Sequence, residues 1–522
     1  MTLVPAFAAN NGQHHEAAAG AKVALQSSMP GTAQTAAPKA QAARTIFANN
    51  EKALRLLNRI TFGPRPGDLE TVKAVGLETY IEQQLNPESI REAPDVQDFI
   101  HNADALRMSP SDLYRDYGPP SQAAAQAKAK QEAMIVNDRR HRIQARSGEA
   151  KIFEEVAQGK IMRAVESPRQ LEELMTDFWF NHFNIYANKG LDHIWLGAYE
   201  QEAIRPFALG KFRDLVEHTC YHPAMLFYLD NWQNSAPGTK VGKTTTGLNE
   251  NYARELMELH TLGVDGGYTQ KDVTELARIL TGLGIAKMDK NGLSGGQGYG
   301  YFFDSSRHDF GTKTLLGHTI RGSGEGEIKE ALDILLKHPS TAHHISYQLA
   351  QYFVCDEPPK SLVDRLASKF TETDGDMKQV MRTLLQSPEF WNPLYENSKF
   401  KNPFRYVVST LRASGARPGS YYFVIQFLRN QGMPMYGCLT PDGYKNTKEA
   451  WVNPDTLLKR IGFATTVAAG GIPEVSPGLI EYRRLGATLG STFSAQTVRV
   501  IMKSPEILRP ALILASPEFM QY

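Results

Sequence analysis

The stretch SPRQLEELMTDFWFNHF, residues 167–183, decides the fold class. Leu171, Leu174, Met175, Phe178, Trp179 and His182 follow the series i, i+3, i+4, i+7, i+8, i+11, which is one face of an α-helix and not the alternation of a strand. Ser167 and Pro168 stand where a helix cap and a first-turn proline belong. His182 therefore lies inside an apolar stripe. A histidine in such a place is more often a satisfied core group than a ligand. Its setting sharpens the question: Phe178, Trp179, Phe180 and Phe183 surround it, Asn181 and Asn184 flank it, and an unpartnered imidazole there would be costly. A carboxylate from another element would both satisfy and orient the ring, and Glu255 or Glu258 is the expected partner.

The same periodicity recurs on both sides of this helix. NNEKALRLLNRITFG, residues 49–63, places Ala53, Leu54, Leu57 and Ile60 on one stripe and stops at Gly63 with Pro64 behind it. Downstream, GEIKEALDILLKH, PSTAHHISYQLAQYFV, PKSLVDRLASKF, NPFRYVVSTLRASG and PDTLLKRIGFATTVAAG repeat the style. Only between Gly292 and Arg321 does the texture change, to glycines, aromatics and short alternation that predict one or two small hairpins. The expected architecture is mainly α, a multi-helix globular fold with a small β-hairpin element. Residues 45–522 form the helical domain, with 121–165 a projecting helical segment and 292–321 the Gly-rich hairpin region. Helices 167–183 and 249–262 are expected to pack around a hairpin at 301–316.

Composition narrows the function classes. Of 522 residues, 57 are Lys or Arg and 56 Asp or Glu, which leaves no excess positive charge to neutralise a nucleic-acid backbone. No window approaches 18 consecutive apolar residues, so no transmembrane segment is expected. The cysteines Cys220, Cys355 and Cys438 are too scattered for a disulfide framework or a CxxC knuckle. MTLVPAFAA at the start holds a short apolar run and an A-x-A pattern, without the basic region of a complete leader. With the Ala, Gln, Gly and Ser rich tract that follows, residues 1–44 read as a truncated signal peptide and a linker, and the expected location is periplasmic or secreted.

Chemistry is concentrated in NENYARELMELHTLGV, residues 249–264. At about 100 degrees per residue, Glu250, Arg254 and Glu258 share one strip with Glu255 beside it, while Tyr252, Ala253, Leu256, Met257, Leu259 and His260 take the packed side. A strip of this kind is commonly a solvated face bridged at i, i+4. Facing a cleft, it would instead supply paired carboxylates for acid and base roles, and a guanidinium for an anion. A third cluster, Arg307, His308, Asp309 and Lys313 in SSRHDFGTK, offers a base, its orienter and a cation, against the plainer reading of loop solvation. Its DFG has no kinase companions, and kinase chemistry is rejected. His218 and His222 stand at i, i+4, but Pro223 follows at once and no HExxH accompanies them, so zinc is disfavoured. TPDGY, residues 440–444, reads as a turn of a type that can rim a pocket.

LLNRITFGPRPGDLETVKAVGLETYIEQQL, MTDFWFNHF, HPAMLFYLDN, NENYARELMELHTLGV, FDSSRHDFGTKTLLG, HPSTAHHISYQLAQYFV, TPDGY and EAWVNPDTLLKRIGFA, in that order, resemble the bacterial DUF1800 family from about Leu54 to Tyr522. The resemblance implies a largely helical, often exported protein whose gene neighbours frequently include members of a second exported family, DUF1501. It brings no established reaction. The chain departs from the family pattern where KVGKTTTGL lengthens the approach to Asn249 and Leu248 stands in place of a common Pro.

The expected function is that of an exported hydrolase or lyase acting on a polymeric or small-molecule substrate, with a cell-wall or extracellular polysaccharide favoured. Glu255 and Glu258 are the acid and base candidates and His182 the orienting group. Arg254, His308, Asp309, Lys313 and Asn249 are the candidates for binding substrate. No cofactor is expected, although a metal held by His182, Glu255, Glu258 and His308 is kept as the basis of an alternative, a metal-dependent oxidoreductase. The other alternative is a noncatalytic surface or assembly protein working with a DUF1501 partner.

Overall fold

In a computed structural model of the chain, described for residues 51–119, 139–241, 244–418, 420–471, 480–490 and 493–522, helices supply most of the regular structure. The expected leader and linker at 1–44, and residues 121–138 of the expected projecting segment, lie outside the described residues. Helix α1 (Arg139–Glu166) is a core element from Ile152 onward, where Ile152, Val156, Ile161 and Val165 are buried. Helix α2 (Gln170–His182) starts later than the Ser-Pro signal suggests. The reason is that Ser167 and Gln170 are spent closing the end of α1. Ser167 Oγ accepts from the Arg169 N–H and donates to Glu92, while Gln170 Nε2 donates to the Ala164 and Ser167 carbonyls at 3.1 and 2.8 Å.

Burial of α2 extends around most of its circumference. Besides the apolar stripe, Phe180, Glu173 and Thr176 are buried, and Trp179 Nε1 donates to the Ala208 carbonyl at 2.9 Å. Glu173 tolerates this position because Arg205 grips both its oxygens, at 2.6 and 3.0 Å, and also reaches Glu200 at 3.2 Å. Four more helices carry or brace the site: α3 (Asn251–Glu258), α4 (Gln270–Ile279), α5 (Pro339–Phe353) and α6 (Pro403–Ser414). Two of these starts follow directly from sequence. Asn402 before Pro403 accepts from the Arg405 N–H at 2.8 Å, and Thr269 forms a capping box with Asp272.

The strands are short and paired in twos, antiparallel throughout. Leu283–Ile285 pairs with Tyr301–Phe303, Lys287–Asp289 with Gly292–Ser294, and Lys313–Leu315 with His318–Ile320. Residues 301–316 are therefore not one hairpin. Gly295, Gly298 and Gly300 have φ of +75°, +49° and +100°, and they turn the chain so that Tyr301 returns onto Ile285, upstream of the expected hairpin region. Among the described residues no helix is long and apolar enough to cross a membrane.

One buried ionic knot braces this β region. Glu327 accepts from His308 Nε2 at 2.9 Å, Lys313 Nζ at 2.5 Å and the Gly324 N–H at 3.0 Å, with the His308, Lys313 and Glu327 side chains all without exposure. Replacing Glu327 by Gln strands a buried ammonium and is expected to cost about 3–5 kcal/mol in urea unfolding. The double variant Glu327→Gln/Lys313→Met should recover most of that loss. Equal destabilisation in the double variant would contradict the pairing.

Candidate functional site

The site begins at the C-terminal end of α2, where the apolar pattern gives way to Asn181, His182, Phe183 and Asn184. His182 is 7% exposed, and its Nε2 lies 3.1 Å from the carbonyl oxygen of His260, in the turn that follows α3. A carbonyl only accepts, so Nε2 carries the proton. The partner expected from Glu255 or Glu258 is thus a backbone carbonyl. Burial pushes the ring down to about 3, with His344 adding to the shift and the His260 carbonyl and Gln348 side chain opposing it, so His182 is neutral at physiological pH.

Two more histidines gather there. The His260 and His344 ring centroids lie 5.9 and 6.4 Å from that of His182. His344, on α5, bonds through Nε2 to the Leu259 carbonyl at 3.2 Å. Gln348, one turn on, meets the His344 ring at 3.1 Å, and its side chain also bonds the His182 ring. Gly263 is required beneath this cluster: at φ +85°, a Cβ there would sit 2.8 Å from His344 Nδ1.

Beside His182 opens a cavity of about 250 Å³, walled by α1, α2, α5, the start of α6 and the 433–446 segment. Its Lys and Asp side chains come in two opposed pairs. Lys160 Nζ lies 2.8 Å from Asp177, among the rings of Phe180, Phe404 and Tyr436 at 5.1, 5.6 and 5.2 Å. Burial alone would lower the Lys160 pKa, but Asp177 and Glu200 outweigh it and raise the value, which keeps the ammonium charged. Lys445 Nζ bonds Asp442 at 2.6 Å. Carboxamides and aromatic rings make up much of the remaining wall, including Asn184, Gln351, Asn402, Tyr352 and Tyr444.

The two asparagines beside His182 seat the 438–444 loop. Asn181 Nδ2 donates to the Tyr444 carbonyl at 2.9 Å while its Oδ1 accepts the Tyr444 N–H at 2.8 Å. Asn184 Nδ2 donates to the carbonyls of Cys438 and Thr440. Gly443 fits only as glycine: φ is +67°, and a Cβ would lie 2.2 Å from the Asn181 carbonyl oxygen. Trp451 closes the far side, its Nε1 donating to the Lys445 carbonyl at 2.7 Å.

The residues singled out in sequence are distributed unevenly around this cavity. His182 is on the wall. Tyr252, Ala253, Leu256, Met257 and His260 are buried, as the helical wheel requires. Glu255 is half-buried, does not line the cavity, and lies within electrostatic reach of Asp442. Burial, then Glu258 and Asp442, push its carboxyl up, against Arg254. Glu258 accepts from the Tyr268 hydroxyl at 3.0 Å, and Arg254 spans Glu250 and Gln270 at 3.2 and 2.9 Å on a partly exposed face. Asn249 Oδ1 accepts the Asn251 N–H and its own N–H donates to Asn234, fixing the entry to α3. His308 and Lys313 are sealed in the Glu327 knot, and Asp309 is clamped by Arg278 at 2.8 and 3.2 Å, so the expected substrate role of His308 and Lys313 has no exposed side-chain atom behind it. His182, Glu255, Glu258 and His308 are not gathered as a ligand set, and among the described residues no group of three or more His, Cys, Asp or Glu is so arranged. Sequence reading passed over Lys160, Asp177 and Gln348, and touched Asp442 only as part of the TPDGY turn. A signal existed for Lys160, a cation in the otherwise apolar series Val156, Lys160, Ala164.

The family model described as "Protein of unknown function (DUF1800)" matches residues 55–521. The chain belongs to the DUF1800 family. No curated protein and no solved structure matches it. In this DUF1800 chain, four of the motifs quoted above meet at one place: the asparagines of MTDFWFNHFN hold TPDGY, His260 and Gly263 of the HTLGV turn pack on His182 and His344, and α5 supplies His344 from HPSTAHH.

Two outcomes follow for this DUF1800 protein. Burial pushes His182 and His222 down to about 3 and His260 well below its usual value. The unfolded chain protonates these rings below about pH 6.5 and the folded chain does not, so their contribution is complete above that pH and is lost as pH falls toward 3, at about 1.4 kcal/mol per pH unit per ring. Urea midpoints should therefore drop between pH 7 and 5, less steeply in His182→Gln by one ring's share; an unchanged slope would contradict the buried neutral ring. Gly443→Ala should lower the thermal midpoint by a destabilisation of about 1–3 kcal/mol and increase proteolysis at 438–446.

Proposed function

We propose that this is an exported carbohydrate-active enzyme, a hydrolase or lyase acting on an extracellular or cell-wall polysaccharide, with Glu255 as general acid and Asp442 as its ionised partner. The observation that supports this reading most directly is the opposed tuning of these two carboxyls, Asp442 on the cavity wall and Glu255 within its electrostatic reach. Glu255 is pushed up by burial and by the charges of Glu258 and Asp442. Asp442 is also penalised by burial, but its bonds to Lys445 and Thr440 outweigh that and hold it below the usual carboxylate range. Two carboxyl groups driven apart in this way divide into an acid that keeps its proton and a base that has lost it.

Asp442 suits the second role better than Glu258, because Asp442 lines the cavity whereas Glu258 accepts from the Tyr268 hydroxyl. His182 serves as a positioning residue: its only proton is committed to the His260 carbonyl, and the ring holds the turn after α3, and so Glu255, against α2. The aromatic rings and carboxamides of the wall suit a sugar, which has apolar ring faces and a rim of hydroxyls. The assembly alternative draws on a different feature, the exposed Leu458, Val500, Met502 and Ile507 outside the cavity.

The test is turnover of a polysaccharide panel, read by new reducing ends for hydrolysis and by ultraviolet absorbance of unsaturated products for lyase action. Glu255→Gln and Asp442→Asn should each lower the rate by about 10²–10⁴-fold with folding intact. The wild-type rate should fall at high pH as Glu255 ionises and at low pH as Asp442 protonates, and Glu255→Gln should remove the alkaline limb. Wild-type rates in both variants would overturn the assignment.

A further inference from the structure

Resting on the saccharide reading above, we infer that the cavity accepts a single uncharged pyranose ring, so that the enzyme works at the ends of chains and not along them. The first ground is charge. Lys160 is paired with Asp177 and Lys445 with Asp442, so each cation on the wall already faces a carboxylate. An anionic sugar would approach Asp177 or Asp442, and a cationic one Lys160 or Lys445, with no free counter-charge in either case. His182, also on the wall, is neutral and has its proton engaged.

What the wall offers a ligand is therefore dipoles and rings. The cavity is lined by the carboxamides of Gln348, Gln351, Asn402 and Asn446. A hydroxyl can satisfy either end of an amide, because it both donates and accepts. Phe178, Tyr352, Phe404 and Tyr436 provide faces and edges for the apolar side of a pyranose.

The second ground is size. About 250 Å³ is below the ~300–1,000 Å³ of pockets that enclose drug-sized ligands, and it has room for one sugar ring and its hydroxyls but not for a run of them.

Isothermal titration with named sugars separates the possibilities: glucose, galactose, mannose and N-acetylglucosamine against glucuronic acid, galacturonic acid and glucosamine, followed by linear oligomers of whichever neutral sugar binds. At least one neutral sugar should bind about tenfold or more tightly than its charged counterparts. Affinity should rise by less than about threefold beyond the disaccharide. Gln348→Ala and Asn446→Ala, with unchanged melting temperatures, should each weaken binding about tenfold, the loss of one hydrogen bond in a closed site. A uronic acid or amino sugar that binds more tightly, or affinity that climbs steadily to the hexamer, overturns this inference while polysaccharide turnover sensitive to Glu255→Gln leaves the enzymatic reading standing. Binding of one neutral ring as expected, with no polymer or oligomer turned over, overturns the enzymatic reading alone. Failure of every sugar to bind overturns the inference.

Discussion

The bond from the His182 ring to the His260 carbonyl is the contact on which the site depends. It ties the end of a deeply buried helix to the turn after α3, and it does so in an apolar setting where an unpartnered imidazole would be costly. Its consequences spread through neighbours in the chain. Asn181 and Asn184 are held at the same helix end, and they grip the backbone of residues 438–444. The His260 turn in turn sits against His344 and so against α5. Three distant parts of the chain thereby form one wall.

Electrostatics within that wall follow a single rule, that buried charge is met by buried charge. Lys160 remains ionised in a cage of rings because Asp177 and Glu200 lie beside it, and Arg205 answers Glu173 and Glu200 behind. The Glu327 knot applies the same rule to the β region, where it consumes His308 and Lys313. Glu255 departs from that rule. It faces like charge from Glu258 and Asp442 with only Arg254 in opposition, and a carboxyl raised by its surroundings beside a cavity is the kind of group that acid catalysis uses.

Much of the fold was legible because the period of the apolar residues was strong. The stripe from Leu171 to His182 gave the central helix, and the wheel over 250–260 separated the buried His260 from the polar Glu250, Arg254 and Glu258. What periodicity could not convey was partnership across long separations. The His182 acceptor is a main-chain carbonyl, and every residue has one, so no side-chain pattern marks it. His308, Asp309 and Lys313 read as a polar loop because their partners, Glu327 and Arg278, lie on other helices. The pairing of Ile285 with Tyr301 was hidden because strands of three residues have too little alternation to distinguish from the end of a helix. TPDGY was recognised as a turn, and its glycine proved to be set by contact with Asn181, 262 positions away in sequence.

The most direct test of the His182 contact is nitrogen NMR of the protein with labelled histidine, His182 being assigned by loss of its signals in His182→Gln. The structure predicts a neutral ring protonated at Nε2, with chemical shifts that do not move between pH 8 and about 5. A His182 ring that titrates near 6.5, or that carries its neutral proton on Nδ1, would contradict the bond to the His260 carbonyl and with it the construction of the site.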